Sequence, residues 1–139
     1  MRQVQRSLQL ETRGKGLYDI SAQVQKLIAD SGIVSGLCTL FIQHTSASLL
    51  IQENADVEVQ RDLERWFTRL VVDGDAIFRH TDEGPDDMTA HVRSALTQTS
   101  IGVPVIEGRA ALGTWQAVYV WEHRLAPHTR RVLLTLIGD

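Results

Sequence analysis

Apolar and polar positions alternate with a period of two over Gln3 to Leu10. Val4, Leu8 and Leu10 share one face with Arg6, and Gln3, Gln5, Ser7 and Gln9 take the other. That spacing predicts a half-buried strand. Gly14 and Gly16 mark a turn, and Leu17 to Ile20 read as a short returning strand. The period then changes. Val24, Leu27 and Ile28 follow Ser21, a residue type suited to a helix N-cap, and Asp30, Ser31 and Gly32 close the short amphipathic helix. Leu37 to Ile42 is an almost unbroken apolar run, the signature of a buried strand. It leads to His44 and then Thr45, Ser46, Ala47 and Ser48. A second apolar run, Leu49 to Ile51, ends at Glu53, Asn54 and Asp56. Side chains alternate along a strand, so His44 falls on the face of Cys38, Leu40 and Ile42. If that face is buried, the imidazole needs a partner, because an unpaired buried polar group is costly.

Asp56 is placed to cap a second helix, with Glu58 in its first turn and an apolar stripe of Val59, Leu63, Trp66, Phe67 and Leu70 that reads as core. Asp73-Gly74-Asp75 ends it. Phe78 to Asp87 is a polar loop carrying His80, and Asp86 or Asp87 is placed to cap a third helix with the stripe Met88, Val92, Ala95 and Leu96. His91 falls on that stripe, three residues from Met88. The last third is β. Ile101 to Ile106 contains Pro104, which predicts an edge or bulge. Thr114 to His123 alternates, with Trp115, Ala117, Tyr119 and Trp121 opposite Gln116, Val118, Val120 and Glu122. Val132 to Ile137 forms the final strand behind Arg130-Arg131. Strands and helices do not alternate regularly, so the pattern predicts an α+β domain with mostly antiparallel pairing and about three helices.

A chain of 139 residues with 43% hydrophobic residues supports one domain with a real core. The net charge of −3, with acids and bases interspersed, argues against a general nucleic-acid binder. No apolar run approaches a membrane span, and the N-terminus has no signal-peptide h-region, so a cytoplasmic location is the default expectation. The single cysteine, Cys38, excludes an internal disulfide and reads as a small core residue.

Three histidines fall in unusual places: His44 ends a core strand, His80 lies in an acidic loop, and His91 faces inward on a helix. Three neutral imidazoles with one open position make a catalytic-type zinc or other transition-metal site. Taken singly, His44 and His91 also fit core histidines satisfied by backbone carbonyls, and His80 a solvated loop residue. Glu53, Asp56, Asp82, Glu83, Asp86 and Asp87 are candidate general bases or magnesium ligands, or else caps and solvated acids. Thr45, Ser46 and Ser48, with Arg130 or Arg131, are placed to bind an anion, or to form turns. No HExxH, CxxC, GxSxG or Walker A motif is present.

The blocks QHTSAS with ENAD, HTDEGPDDMTAHVRSAL, GTWQ, WEHR and the later RR resemble, in order and spacing, the YjbQ-like family of "secondary thiamine-phosphate synthase enzyme" proteins. The resemblance spans residues 1–139 as a single domain. It implies a small α+β protein with an antiparallel β-sandwich that assembles as a homotrimer. It also implies a metal-binding site at the histidines and a weak thiamine-phosphate synthase activity, a transferase reaction on a small-molecule substrate. Carried over residue by residue, the resemblance implies metal or ligand contacts from His44, His80 and His91. Glu53, Asp56 and Arg130 take catalytic places, with Trp115 and Gln116 at the bound ligand. The implied cofactor is a divalent metal, zinc or another transition ion, or magnesium if a diphosphate is the substrate. A metal-dependent hydrolase of a small phosphorylated substrate and a non-catalytic binding protein are the alternatives.

Overall fold

The N-terminal alternating segment forms β1, Arg2–Thr12, which pairs antiparallel along its whole length with the C-terminal strand β8, His128–Gly138. The computed structural model describes residues 1–139. Between these strands the chain runs through β2 (Gly16–Asp19), α1 (Ser21–Ser31), β3 (Gly36–Ile42) and β4 (Ala47–Glu53). It continues through α2 (Val57–Leu70), α3 (Asp87–Leu96), β5 (Ser100–Ile106), β6 (Arg109–Ala110) and β7 (Gln116–Glu122). A five-stranded sheet has the order β1-β8-β3-β5-β6, and a three-stranded sheet the order β2-β7-β4. Every ladder is antiparallel, as the α+β reading requires.

One apolar core joins the two sheets and α1. Leu40, Ile42, Val132 and Leu134 come from the larger sheet, Leu49, Val118 and Val120 from the smaller, and Val24 and Ile28 from the helix. Cys38 lies in this core, and burial pushes its thiol up to about 11, which suits a packing residue and not a nucleophile. β3 and β8 approach so closely at their ends that a Cβ on Gly36 would stand 2.1 Å from the Ile137 carbonyl oxygen. β5 is laddered with β3 along Ser100 to Val105, but β6 pairs its outer side only at Val105 and Ile106, so Pro104 lies where that outer side is largely open.

The structure departs from the sequence pattern where polar residues are buried. Ser21 does not cap α1. Its hydroxyl accepts the Val118 N–H at 2.8 Å, while the Asp19 carboxylate accepts the Ser21 N–H. Asp56 does cap α2, accepting the Glu58 N–H at 2.9 Å. Of the α2 stripe only Phe67 is buried, and Trp66 and Leu70 are half exposed. On α3 the buried positions are Asp87, Thr89, Ala90 and Arg93, whereas Leu96 is exposed. The cause is Arg93: its guanidinium lies over the Phe67 ring and donates to both Glu64 oxygens, and this turns the helix. β7 is buried on both faces from Ala117 onward. Trp121 is therefore core, packed edge-on against Phe67 with its Nε1–H donated to Glu64, and of Trp115 and Trp121 only Trp115 is exposed.

Candidate functional site

Two acids open α3, and neither caps it with its side chain, because Arg124 claims both. Its Nε donates to Asp86 Oδ2 at 2.9 Å, Nη1 to Asp87 Oδ1 at 2.8 Å, and Nη2 to the Glu83 carbonyl at 2.8 Å. The Leu125 N–H adds a further bond to Asp86 Oδ2. Arg124 thereby fixes the Asp87 carboxylate and leaves Oδ2 as its free oxygen. His91 lies one turn along the same helix face, with Nε2 at 3.3 Å from that oxygen. The loop before the helix returns His80, whose Nε2 stands 2.6 Å from it. Ligand atoms of His80, Asp87 and His91 all lie within 4.8 Å of one another. Burial works to raise the Asp87 carboxyl, but the His80 hydrogen bond and the nearby His91 and Arg124 outweigh it and hold the group below the ordinary carboxylate range.

The His91 ring has a defined tautomer. Its Nδ1 is 3.0 Å from the Thr45 carbonyl, which can only accept, so Nδ1 carries a proton. In the neutral ring Nε2 then presents a lone pair to a carboxylate oxygen. That contact is favourable only with a proton or a cation between the two atoms. Metal-ligating histidines commonly have their other ring nitrogen held by a backbone carbonyl, as the Thr45 carbonyl holds His91 Nδ1. By donor chemistry, this cluster fits a divalent transition metal.

A cavity of about 680 Å³ adjoins the cluster, lined by Phe41, His44, Ser46, His91, Ser94 and Arg130 among others. Beneath it lies a buried polar network. Glu122 is fully buried and accepts from Arg130 Nε and Nη2 and from the Thr12 hydroxyl. Burial acts to raise the Glu122 carboxyl, yet the Arg130 and Thr12 hydrogen bonds bring it below its ordinary value. His123 is also fully buried, with Nε2 at 2.9 Å from Ser48 Oγ and Nδ1 without a protein partner. Burial first, then Arg93, Arg130 and Lys15, push its pKa down to about 3.

His123 consequently stays neutral in the folded chain and charges only on unfolding. Its folded pKa lies below the unfolded value, so its contribution is complete above about pH 6.5 and declines as pH falls toward 3. The expected loss is about 1.4 kcal/mol per pH unit across that window, because one extra proton binds the unfolded chain. Histidine ring spectra recorded from pH 7 to 4 should show no titration of His123. A ring that titrates near pH 6 would contradict its burial.

The expected site residues separate into groups. His80 and His91 meet at Asp87, but His44 does not join them. Its Nε2 accepts the Arg131 N–H at 2.9 Å, and Nδ1 lies 3.3 Å from Arg130 Nη1. Burial and then the Arg130 charge lower the His44 pKa. Arg130 is buried against Glu122, and Arg131 is exposed on the opposite face. Glu53 is at the far end of β4, about 20 Å along the strand from Ala47 at the usual rise per residue. The Asp56 carboxylate is occupied as a cap. Gln116 pairs with Glu53 across the sheet and accepts the Gly113 N–H, and Trp115 beside it is exposed. The single chain therefore does not bring Glu53, Asp56, Trp115 or Gln116 to the metal-type cluster. Asp82 is exposed, and Glu83 contributes its carbonyl. Thr45 holds His91 through its carbonyl, Ser46 bonds Arg130, and Ser48 turns inward to His123. Glu122, His123 and Arg124 were given no role from sequence. The signal was three consecutive polar residues closing an apolar strand.

A sequence model of the YjbQ-like UPF0047 proteins matches residues 6–139. The chain belongs to this YjbQ-like family. A UPF0047 protein of Synechocystis is 49% identical over 138 residues, covering 99% of this chain and 94% of that protein. The YjbQ protein of Escherichia coli O157:H7 is 40% identical, covering 97% and 98%. Among solved structures, a conserved hypothetical protein from Thermus thermophilus superposes with a TM-score of 0.85 at 31% identity, covering 95% of this chain and 99% of that one. A YbjQ-like protein of unknown function from Sulfolobus solfataricus gives the same TM-score at 21% identity, covering 99% and 100%, and supports the fold. No helix of the YjbQ-like chain is long and apolar enough to cross a membrane.

Proposed function

We propose that this YjbQ-like protein is a metal-dependent enzyme that hydrolyses a small molecule bound in the cavity beside His80, Asp87 and His91. The observation that carries the reading is the His91 ring, held at Nδ1 by the Thr45 carbonyl so that Nε2 faces the fixed Asp87 carboxylate at 3.3 Å. Two imidazoles and one carboxylate favour zinc or another transition ion over magnesium. Such an ion lowers the pKa of a bound water toward about 7 and polarises a substrate oxygen. The chain's own residues supply the rest. Arg124 fixes Asp87, the Thr45 carbonyl fixes His91, and Phe41, Ser46 and Ser94 shape the cavity wall. Assays of carboxylic and phosphoric esters should show turnover that chelation removes and zinc restores, and that His91→Ala lacks. Turnover unaffected by chelation would overturn the reading.

Thiamine-phosphate formation, implied by the family resemblance, is the second reading. Its leaving group is diphosphate, which calls for concentrated positive charge. Arg130 and Arg124 are already paired with carboxylates, and Arg131 is the exposed cation near by. The expected rate is therefore slow. Release of diphosphate that requires both thiamine precursors separates this reaction from hydrolysis.

A homotrimer is part of the proposal. The outer face of the larger sheet carries Leu37 beside Ile137 and Phe41 beside Leu133, with Leu37, Phe41 and Ile137 each more than two-fifths exposed. Association would cover this apolar surface. Light scattering at micromolar concentration should give three times the chain mass of 15.5 kDa, and a monomer would contradict it.

A further inference from the structure

The contacts of His44 leave two donors facing each other. The Arg131 backbone N–H stands at the mouth of the β3–β8 ladder, beyond the last pair, Ile42 with Val132. His44 Nε2 accepts it at 2.9 Å, taking the place of a strand partner. A nitrogen that accepts carries no proton, so the neutral ring bears its proton on Nδ1. That Nδ1–H stands 3.3 Å from Arg130 Nη1, which can only donate. The opposite tautomer only moves the clash, setting Nε2–H against the Arg131 N–H.

Arg130 cannot turn away. Its Nε and Nη2 are held by buried Glu122, and Nη2 also donates to the Ser46 carbonyl and hydroxyl oxygens. Ser46 Oγ, having accepted from Arg130, keeps its own hydrogen to donate. Arg130 is only 3% exposed, and His44, Ser46 and Arg130 all line the cavity. Three donors thus meet at one wall of a solvent-reachable space, two of them in mutual conflict. An acceptor that takes both N–H groups would relieve the conflict.

We infer that this wall is an oxyanion site in which His44 Nδ1–H, Arg130 Nη1–H and the Ser46 hydroxyl bind one negatively charged oxygen group of the substrate. The substrate-class part of the inference rests on the cavity being the substrate site of the proposed enzyme. Charge narrows the class. Glu122 neutralises Arg130, so the wall offers hydrogen bonds without an excess of positive charge. It fits a carboxylate or a singly charged phosphate ester better than a diphosphate.

The test uses metal-free protein, so that failure of the metal site does not affect the result. Ring-nitrogen spectra of His44 should show the neutral Nδ1–H tautomer at pH 7. Acetate and inorganic phosphate, added in separate titrations, should shift the His44 ring and Arg130 Nε signals saturably in the millimolar range. His44→Phe, which has no ring donor, should weaken binding by roughly tenfold or more, whereas His44→Gln, which can both accept and donate, should retain most of it. Ser46→Ala should weaken it by a few-fold, and it decides the matter if His44→Phe does not fold. Acetate binding at least as tightly as phosphate assigns a carboxylate substrate, and the reverse assigns a phosphate ester. An Nε2–H tautomer at His44, or shifts that do not saturate for either anion, would overturn the inference.

Discussion

Glu122→Gln should destabilise the fold by about 3–5 kcal/mol, the usual consequence of removing one partner from a buried ion pair. Glu122 is fully buried and Arg130 is 3% exposed, so neither water nor another acid can replace the lost charge. The amide would leave the Arg130 guanidinium buried and uncompensated, and it would place an NH2 where Arg130 or Thr12 now donates. Replacing both partners with apolar residues should cost less than the single change, because no charge is then stranded. The effect depends on pH in a defined direction. The Glu122 carboxyl is held below its unfolded value, so its contribution is present above about pH 4.5 and is lost as pH falls through the lower folded value. Urea denaturation at pH 7 should show the full difference between wild type and Glu122→Gln, and the gap should narrow in acid. A difference below about 1 kcal/mol at pH 7 would mean the pair is hydrated in solution.

What the sequence made legible follows from which forces it records. The alternation in β1 and the apolar run of β3 mark strands because a period of two or an unbroken apolar run leaves few other placements. Asp56 was legible as a cap because capping is local. Arg93 was not legible as a buried residue. A helix wheel places it on a polar face, and only the distant Glu64 and the Phe67 ring allow its burial. The burial of Trp121 was equally illegible, since the alternation of β7 does not show that Phe67 of α2 covers this strand face. In the candidate site, His80 and His91 stand out in the sequence because their positions, in an acidic loop and on an apolar stripe, are odd. Asp87 was among the candidate acids, but its role depended on Arg124, which lies 37 residues away. His44 stands apart from the pair that meets at Asp87, and a strand-end histidine gives no local sign that a backbone N–H will claim its nitrogen.

Asp87→Asn should abolish divalent-metal binding, with a loss of affinity of at least about 100-fold, beyond the 10–100-fold typical of residues that merely orient a ligand. The amide is isosteric but uncharged, and Oδ2 is the atom that both histidines face. Arg124→Met acts one step further out. It frees Asp87 Oδ1 and should weaken binding by roughly 10–100-fold without removing any ligand. His128→Ala should leave metal affinity unchanged, because the His128 Nδ1 contact is to the Ala126 carbonyl. Zinc titrations of the three variants should rank them in that order. Equal affinity for Asp87→Asn and wild type would place the metal elsewhere.

The most direct test of the metal site is diffraction from zinc-soaked crystals, recorded on both sides of the zinc absorption edge. One anomalous peak per chain is expected, within about 2.0–2.2 Å of His80 Nε2, His91 Nε2 and Asp87 Oδ2. No zinc peak at the cluster, or a peak only elsewhere on the chain, would contradict this.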